Sequence, residues 1–400
     1  MTRRGLILTV YLPSFLLAFG SGLLIPTLPI YVRSYGVSFE VVSLVVAASG
    51  LGTVISDVPS GLIVGRFGRR PAMIAGCALL VVATLGLGFS RYVPELLFFR
   101  LLCGVGSSLW AVSRLTVLTE EIPSRERGRA ISTFGGTSRF ATFLGPAVGG
   151  LLAAKLGLAA PFFLYSFVAL IATILAILFV RESPHRQGKT PPPFHFRTVP
   201  RLMRQHYYAF STAGLAQIFA QMIRAGRQLI VPLYAAYVIG LDVGAVGTIV
   251  SLSSAVDMSL FYPAGLVMDR LGRRFAAIPS FFIQAMGMAL IPFTHSYLAL
   301  LVAALLLGLG NGLGSGSMMT LGADLAPKNE PGEFLGIWRL IGDAGTTSGP
   351  IVVGTVADTL GLGAAAFSLC GIGLLAVLMF VVFVRETLQK PAVVSGSPGK

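Results

Sequence analysis

Gly61-Leu62-Ile63-Val64-Gly65-Arg66-Phe67-Gly68-Arg69-Arg70 closes an apolar run with a turn-forming glycine and three arginines within five positions. The pattern returns 204 residues later as Gly265-Leu266-Val267-Met268-Asp269-Arg270-Leu271-Gly272-Arg273-Arg274. The same offset pairs Pro59 with Pro263, Gly104 and Gly106 with Gly308 and Gly310, and Pro123 with Pro327. It also pairs Glu126 with Glu330, Gly128 with Gly332, and Gly145-Pro146 with Gly349-Pro350. One ungapped offset running from Pro59 to Pro146 marks a duplicated architecture.

The medium of that architecture follows from composition. Of 400 residues, 54% are hydrophobic and only 12% charged, and the mean hydropathy is +0.82. A chain of this kind needs lipid around its apolar faces. A bilayer core takes roughly 20 apolar residues per helical crossing. Runs of that kind begin near residues 5, 40, 71, 94, 129 and 159, and again near 207, 243, 275, 297, 334 and 362. The expected fold is therefore an all-α membrane protein with twelve transmembrane helices in two six-helix halves. The expected boundaries are 1–181 for the first bundle, 182–206 for a cytoplasmic linker, 207–385 for the second bundle and 386–400 for a disordered tail. The linker carries Pro191-Pro192-Pro193 and a cluster of basic residues, and the tail ends Ser395-Gly396-Ser397-Pro398-Gly399-Lys400.

The net charge of +14 suggests nucleic acid, but its placement argues against that partner. Twenty-one of the 30 lysines and arginines fall at the termini and in every second gap between apolar runs; three (Arg33, Arg91, Lys155) fall in the alternate gaps, and six lie inside runs. This is the positive-inside bias, and it predicts an integral protein of the plasma or inner membrane with both termini cytoplasmic. The basic N-terminus precedes an apolar run too long for a signal peptide's h-region, so it reads as a retained first crossing. Cys77, Cys103 and Cys370 are scattered in apolar runs and form neither a disulfide framework nor a metal set. No cofactor is expected. Forty-eight glycines suit membrane helices, where small residues let backbones approach.

Two parallel six-helix halves joined by a long linker is the layout of a rocking secondary transporter. At this point the residues resemble a known family, the major facilitator superfamily, over both halves. The decapeptide resembles that family's signature after the second crossing, repeated after the eighth. Arg100-Leu101-Leu102-Cys103-Gly104-Val105-Gly106 is similar to its fourth-crossing arginine motif, and Gly145-Pro146 with Gly149-Gly150 to the end of its fifth-crossing antiporter motif. Leu24-Ile25-Pro26-Thr27-Leu28-Pro29 is similar to the twelve-helix drug:proton antiporter branch. The family's aspartate is replaced by Gly65 in the first copy, whereas Asp269 supplies it in the second. In the antiporter motif, Ala141 stands where a glycine is usual.

Charges inside membrane helices are expensive, so each is a candidate for function. Here they are Asp57, Arg100, Arg114 and Arg139 in the first half, then Arg224, Arg227, Asp257, Arg339 and Asp343. Steps of three and four place Arg100, Ser107 and Arg114 on one face of the fourth crossing, and Gln217, Gln221, Arg224 and Gln228 on one face of the seventh. The first crossing offers Ser14 and Ser21, and the tenth offers Asn311 and Ser315. The resemblance implies that crossings 1, 4, 7 and 10 line a central cavity, so these residues are expected to line it. An interhelical hydrogen-bond seam is the alternative for the seventh-crossing stripe.

Proton coupling is expected from among Asp57, Arg100, Arg139, Asp257 and Asp343. Asp57 lies about 12 Å from Gly65 along a helix, and an acid that alternates between a dry pocket and an arginine takes and releases a proton. Its structural alternative is a permanent pair with an arginine of the fourth or fifth crossing. Asp257 has Arg224 or Arg227 as expected partners, and Asp343 has Arg339 four residues before it. Gating is expected at Gly61, Arg66, Gly68, Arg69 and Arg70 and at Gly265, Asp269, Arg270, Gly272 and Arg273. Gly145-Pro146 and Gly349-Pro350 are expected to let helices bend.

These expectations together describe an alternating-access transporter, most simply a proton-coupled exporter of small amphipathic molecules, functional as a monomer. The arginine excess keeps open a second reading, transport of a small organic anion. No nucleophile–histidine–acid set, metal cluster or phosphate loop suggests an enzyme.

Overall fold

The computed structural model describes residues 3–121, 124–182, 198–327 and 330–388. Among the described residues there is helix and no strand. Twelve membrane helices form two six-helix bundles: α1 (Ile7–Arg33), α2 (Phe39–Phe67), α3 (Arg69–Phe89), α4 (Val93–Glu121), α5 (Ser124–Leu156) and α6 (Ala160–Phe179), followed by α7 (Leu215–Tyr234), α8 (Val243–Arg270), α9 (Arg273–Leu290), α10 (Tyr297–Leu325), α11 (Pro331–Leu360) and α12 (Leu362–Val382). Nine of the described helices are long and apolar enough to cross a membrane by themselves. The other three are α5, α7 and α11, which carry Arg139, Arg224 with Arg227, and Arg339 with Asp343. α2, α4 and α8 also carry charge, at Asp57, at Arg100 with Arg114, and at Asp257, yet remain apolar enough overall.

Lipid as solvent explains why the outside is as apolar as the inside. Ile55, Leu62, Phe89, Leu178 and Leu298 are each more than half exposed. Hydrophobicity does not hold such helices together, so they pair through close backbone contact. A Cβ built on Gly104 of α4 would lie 2.2 Å from the Ser49 carbonyl of α2, and one on Gly308 of α10 would lie 2.2 Å from the Ser253 carbonyl of α8. Both members of this contact are repeated at the 204-residue offset.

The arginine turns are also built twice. Gly68 and Gly272 have φ of +93° and +121°, a region that glycine enters without strain. The helix starts that follow, α3 and α9, have free N–H groups and a positive dipole end. Glu182, just past α6, accepts from the Arg69 and Arg70 N–H groups at 3.2 Å each. Glu386, just past α12, accepts from Arg273 and Arg274 at 2.9 and 3.0 Å. Arg70 and Arg274 then donate back to the carbonyls of Ile177 and Val381. Glu386 and Thr387, expected within the disordered tail, are thus held by hydrogen bonds; residues 389–400 lie outside the described residues. So do 183–197 of the expected linker, whose last part is a short helix, Thr198–Gln205.

Partial burial pushes the Glu386 carboxyl up, but the N–H groups of Leu388, Arg273, Arg274 and Thr387 outweigh it and hold the carboxyl below the ordinary value of 4.5. A depressed acid contributes stability above its unfolded value and loses it as pH falls through the folded one. Glu386→Gln is expected to lower the melting temperature at neutral pH by about 2 °C. That difference should close below pH 4.5, a comparison that thermal unfolding across pH reads directly.

Two membrane helices of the second bundle are interrupted where their first-bundle counterparts are not. α8 breaks at Leu260, between Val243–Ser259 and Phe261–Arg270. α10 breaks at Gly314–Gly316, between Tyr297–Leu313 and Ser317–Leu325. α2 and α4 run through the equivalent levels without a break.

Candidate functional site between the bundles

The bundles meet along two seams, α2 against α11 and α5 against α8, and among the described residues one ion pair crosses each. Arg339 of α11 reaches Asp57 of α2 at 3.2 Å and its own helix's Asp343 at 3.7 Å. Ser108 of α4 donates to the other Asp57 oxygen at 2.5 Å and is 3.1 Å from Ser60. Across the second seam, Arg139 of α5 donates to Asp257 of α8 at 2.9 Å, while Asn311 of α10 donates to the second carboxylate oxygen at 2.8 Å. Arg227 lies 3.9 Å from Asp257. Arg139 also donates to Ser315 and sits over the Phe261 ring. The two pairs use equivalent helices but are not aligned by the offset: Arg139 maps to Asp343 and Asp57 to Phe261. Each second-half member sits four residues early, which places the Arg139–Asp257 pair about 6 Å deeper.

On one side of these pairs the seams are closed. Asp358 at the end of α11 accepts from the Phe39 and Glu40 N–H groups at 2.8 and 2.7 Å, capping the start of α2 from the other bundle. Gly150 and Gly247 bring α5 and α8 into backbone contact. Nearby, Ser251 of α8 accepts from the Ala147 N–H and donates to the Phe143 carbonyl, both at 2.7 Å, entering the hydrogen-bond ladder of α5 beside Pro146. On the other side, toward the arginine turns, the seams open: a Cβ on Gly61, Gly135, Gly136, Gly265 or Gly332 would meet nothing within 4 Å. The ion pairs sit where a cleft, open at the arginine face, comes to its end. Replacing Asp358 with Ala removes a charged cap worth about 1 kcal/mol. A cysteine placed at Thr142, in a chain lacking its native cysteines, should then be labelled from the capped side about 5-fold faster. An unchanged rate would show that the cap does not hold this side shut.

The structure relocates several residues expected in the cavity. Arg100 donates to the Val45 and Val46 carbonyls at 3.4 and 3.2 Å and lies near Cys103 and Tyr165, so it braces α2 inside the first bundle. Gln217 and Gln221 face the α11 glycines Gly342 and Gly345, because that helix presents no side chain to keep them apart. They belong to the seam between α7 and α11, and only the last turn of the stripe reaches the centre. There Arg227, Gln228, Ile25, Thr142, Val231 and Leu307 are among the residues lining a cavity of about 40 Å³. Arg224 donates to Gln221 and to the Gly314 carbonyl at the break in α10, and it stacks on Phe281. Arg114 lies over the Phe134 ring at 4.0 Å. Ser14 is buried, Ser21 is exposed and Ser107 is half-buried. Asn311 and Ser315 hold the ion pair rather than empty space.

Asp343 pairs with Arg339 and Asp257 with Arg227 as expected, but the partners across the seams differ from those expected. Asp57 meets an arginine of α11, not of α4 or α5. Asp257 meets Arg139 first and Arg227 second. Ser108 was missed because the α4 face was traced through Ser107, one residue away; the step from Gly104 to Ser108 is the one that meets Asp57. The arginine turns bond within their own bundles, Arg69 to Glu121 at 2.5 Å and Arg273 to Asp324 at 2.9 Å and Asp269 at 3.6 Å. Arg66 and Arg270 are exposed. Gly145 and Gly349 press against Gly22 and Met222 of α1 and α7, while α5 and α11 remain helical through Pro146 and Pro350.

A profile of the Major Facilitator Superfamily matches residues 10–223 and 213–399. The chain belongs to the major facilitator superfamily. It is a multi-pass membrane transporter rather than an enzyme, of a family whose members carry small molecules. It is 25% identical to a multi-drug resistance efflux pump PmrA homolog of Lactococcus lactis, over 98% of this chain and 97% of that one. It is likewise 25% identical to the multi-drug resistance efflux pump PmrA of Streptococcus pneumoniae, over 89% and 91%. Among solved structures, a D-xylose-proton symporter superposes with a TM-score of 0.77, covering 97% of this chain and 99% of that one at 18% identity. That last likeness speaks for the fold alone.

Proposed function

We propose that this facilitator protein exports small amphipathic molecules in exchange for protons, with the arginine face cytoplasmic and the present arrangement open inward. The distribution of basic residues supports that orientation and cytoplasmic termini in the plasma or inner membrane. The efflux pumps similar to it support the direction. One observation carries the coupling: Asp57 joins the two bundles through Arg339 at the end of an open cleft. Protonating Asp57 removes the charge that Arg339 meets, so proton occupancy and the α2–α11 contact are linked. Ser108 and Asp343 keep the two partners positioned when the pair is intact. The bundles 1–181 and 207–385 rock as units joined by 182–206, and a single chain suffices because the site lies within it.

Proteoliposomes holding the purified chain and a fluorescent amphipathic dye test the reading. An imposed proton gradient should drive dye movement against its own gradient, with protons moving the opposite way. Dye movement that follows only the dye gradient, whatever the pH, would remove the coupling.

A further inference from the structure

The two seams carry different charge. Around the α2–α11 pair, Asp57 and Asp343 balance Arg339 and the nearby Arg114. Around the α5–α8 pair, Arg139, Arg224 and Arg227 share one carboxylate, Asp257. Asn311 is bonded to that carboxylate, and adds no charge.

An arginine in a membrane interior is retained where water or a partner meets it, and two of these three have donor capacity to spare. The Arg224 Nε is buried without a partner. Arg227 gives one N–H to the Leu307 carbonyl at 3.1 Å and stands 3.9 Å from Asp257, beyond a hydrogen bond. Arg227 also lines the central cavity beside Gln228, Ile25, Val231 and Val250. The planar fork of Arg227 beside this apolar wall, with Arg224 one helical turn away, matches a planar anion carried on an apolar body.

We propose that the cargo of this transporter is an amphipathic organic carboxylate, whose anionic head binds Arg227 and Arg224 while its apolar part lies against Ile25, Val231 and Val250. This rests on the transport reading above and narrows its substrate class. The cargo head is a second carboxylate for the cluster, so it competes with Asp257 for the arginines. Binding therefore draws Arg227 away from Asp257 and leaves that carboxylate to Arg139, so cargo occupancy bears on the seam that must part for the cavity to reopen on the other side.

Thermal unfolding of the purified full chain with 1-naphthoate, its neutral isostere 1-naphthamide, and 1-naphthylmethylammonium tests this. The carboxylate is expected to bind about 10-fold tighter than the amide. Arg227→Gln should erase that preference, whereas Asp257→Asn should strengthen carboxylate binding by removing its rival. The second variant keeps the test informative if the first does not fold. Equal or better binding of the amide or the ammonium, or no carboxylate binding at all, overturns the proposal. If the ammonium is exported from proteoliposomes while naphthoate neither binds nor moves, the exporter reading stands and the anion site falls. If naphthoate binds with the expected preference but no compound is moved, the anion site stands and the exporter reading falls.

Discussion

Asp57→Asn should abolish transport driven by a pH gradient while leaving substrate counterflow intact in proteoliposomes. Asparagine is nearly isosteric and still accepts from Ser108, whose hydroxyl is 2.5 Å from the carboxylate. The variant should therefore fold. What it loses is the charge that answers Arg339 across the seam and the proton that could cancel that charge. Counterflow needs only the rocking of loaded bundles, so it survives, whereas uphill movement needs a proton to be carried back. The loss should be complete rather than partial, because Asp343 already shares Arg339 from its own helix and does not cross between bundles. Full pH-driven transport in the variant would take Asp57 out of the coupling step.

Two glycines in the same bundle should respond in opposite ways to larger side chains. Gly104→Ala puts a methyl 2.2 Å from the Ser49 carbonyl and 2.7 Å from the Thr53 nitrogen. Both are main chain of α2 and cannot turn aside, so α4 must shift, at a cost of about 3 kcal/mol. Little folded protein should be recovered. Gly61→Leu meets nothing within 4 Å, and leucine favours a helix by about 0.5–1 kcal/mol over glycine. This protein should be at least as stable as the parent. It should nevertheless turn over at least about 10-fold more slowly, because Gly61 lies on the face of α2 that must meet α11 when the cleft shuts. Melting temperature and initial transport rate, measured side by side, separate the two effects. Normal turnover by Gly61→Leu would mean that this turn of α2 never closes against its neighbour.

Much of the architecture was legible from one decapeptide and one offset. The repeated turn set the topology, and glycines at matched positions, such as Gly104 and Gly308, mark contacts that the structure builds twice. The site was legible only in outline. Its charged residues stood out because charge in an apolar run is conspicuous, but their partners across the seams did not. The offset sends Asp57 to Phe261 and Arg139 to Asp343, so two ion pairs related by fold symmetry but displaced by a helical turn look unrelated along the chain. Arg339 read as an intrahelical partner of Asp343 because spacing reports only neighbours on the same helix. Glu182 and Glu386 obey the offset as well, yet lie just past the last apolar residue, where the chain reads as linker and tail. Periodicity likewise placed Gln217 and Gln221 on a polar face without saying what that face meets; a glycine on the facing helix decided it.

The interruptions in α8 and α10 mean that the two bundles differ in stiffness. At both points the ladder is stretched or tightened rather than lost, with the Leu260 and Gly314 N–H groups 3.3 Å from the Val256 and Gly310 carbonyls and Ser315 bonded three residues back to Gly312, and both fall in the second bundle at the level of the arginine cluster. The first bundle is therefore expected to be the stiffer jaw and the second the more compliant one. Backbone amides around Leu260 and Gly314–Gly316 should accordingly exchange with solvent deuterium well before those at the matching levels of α2 and α4.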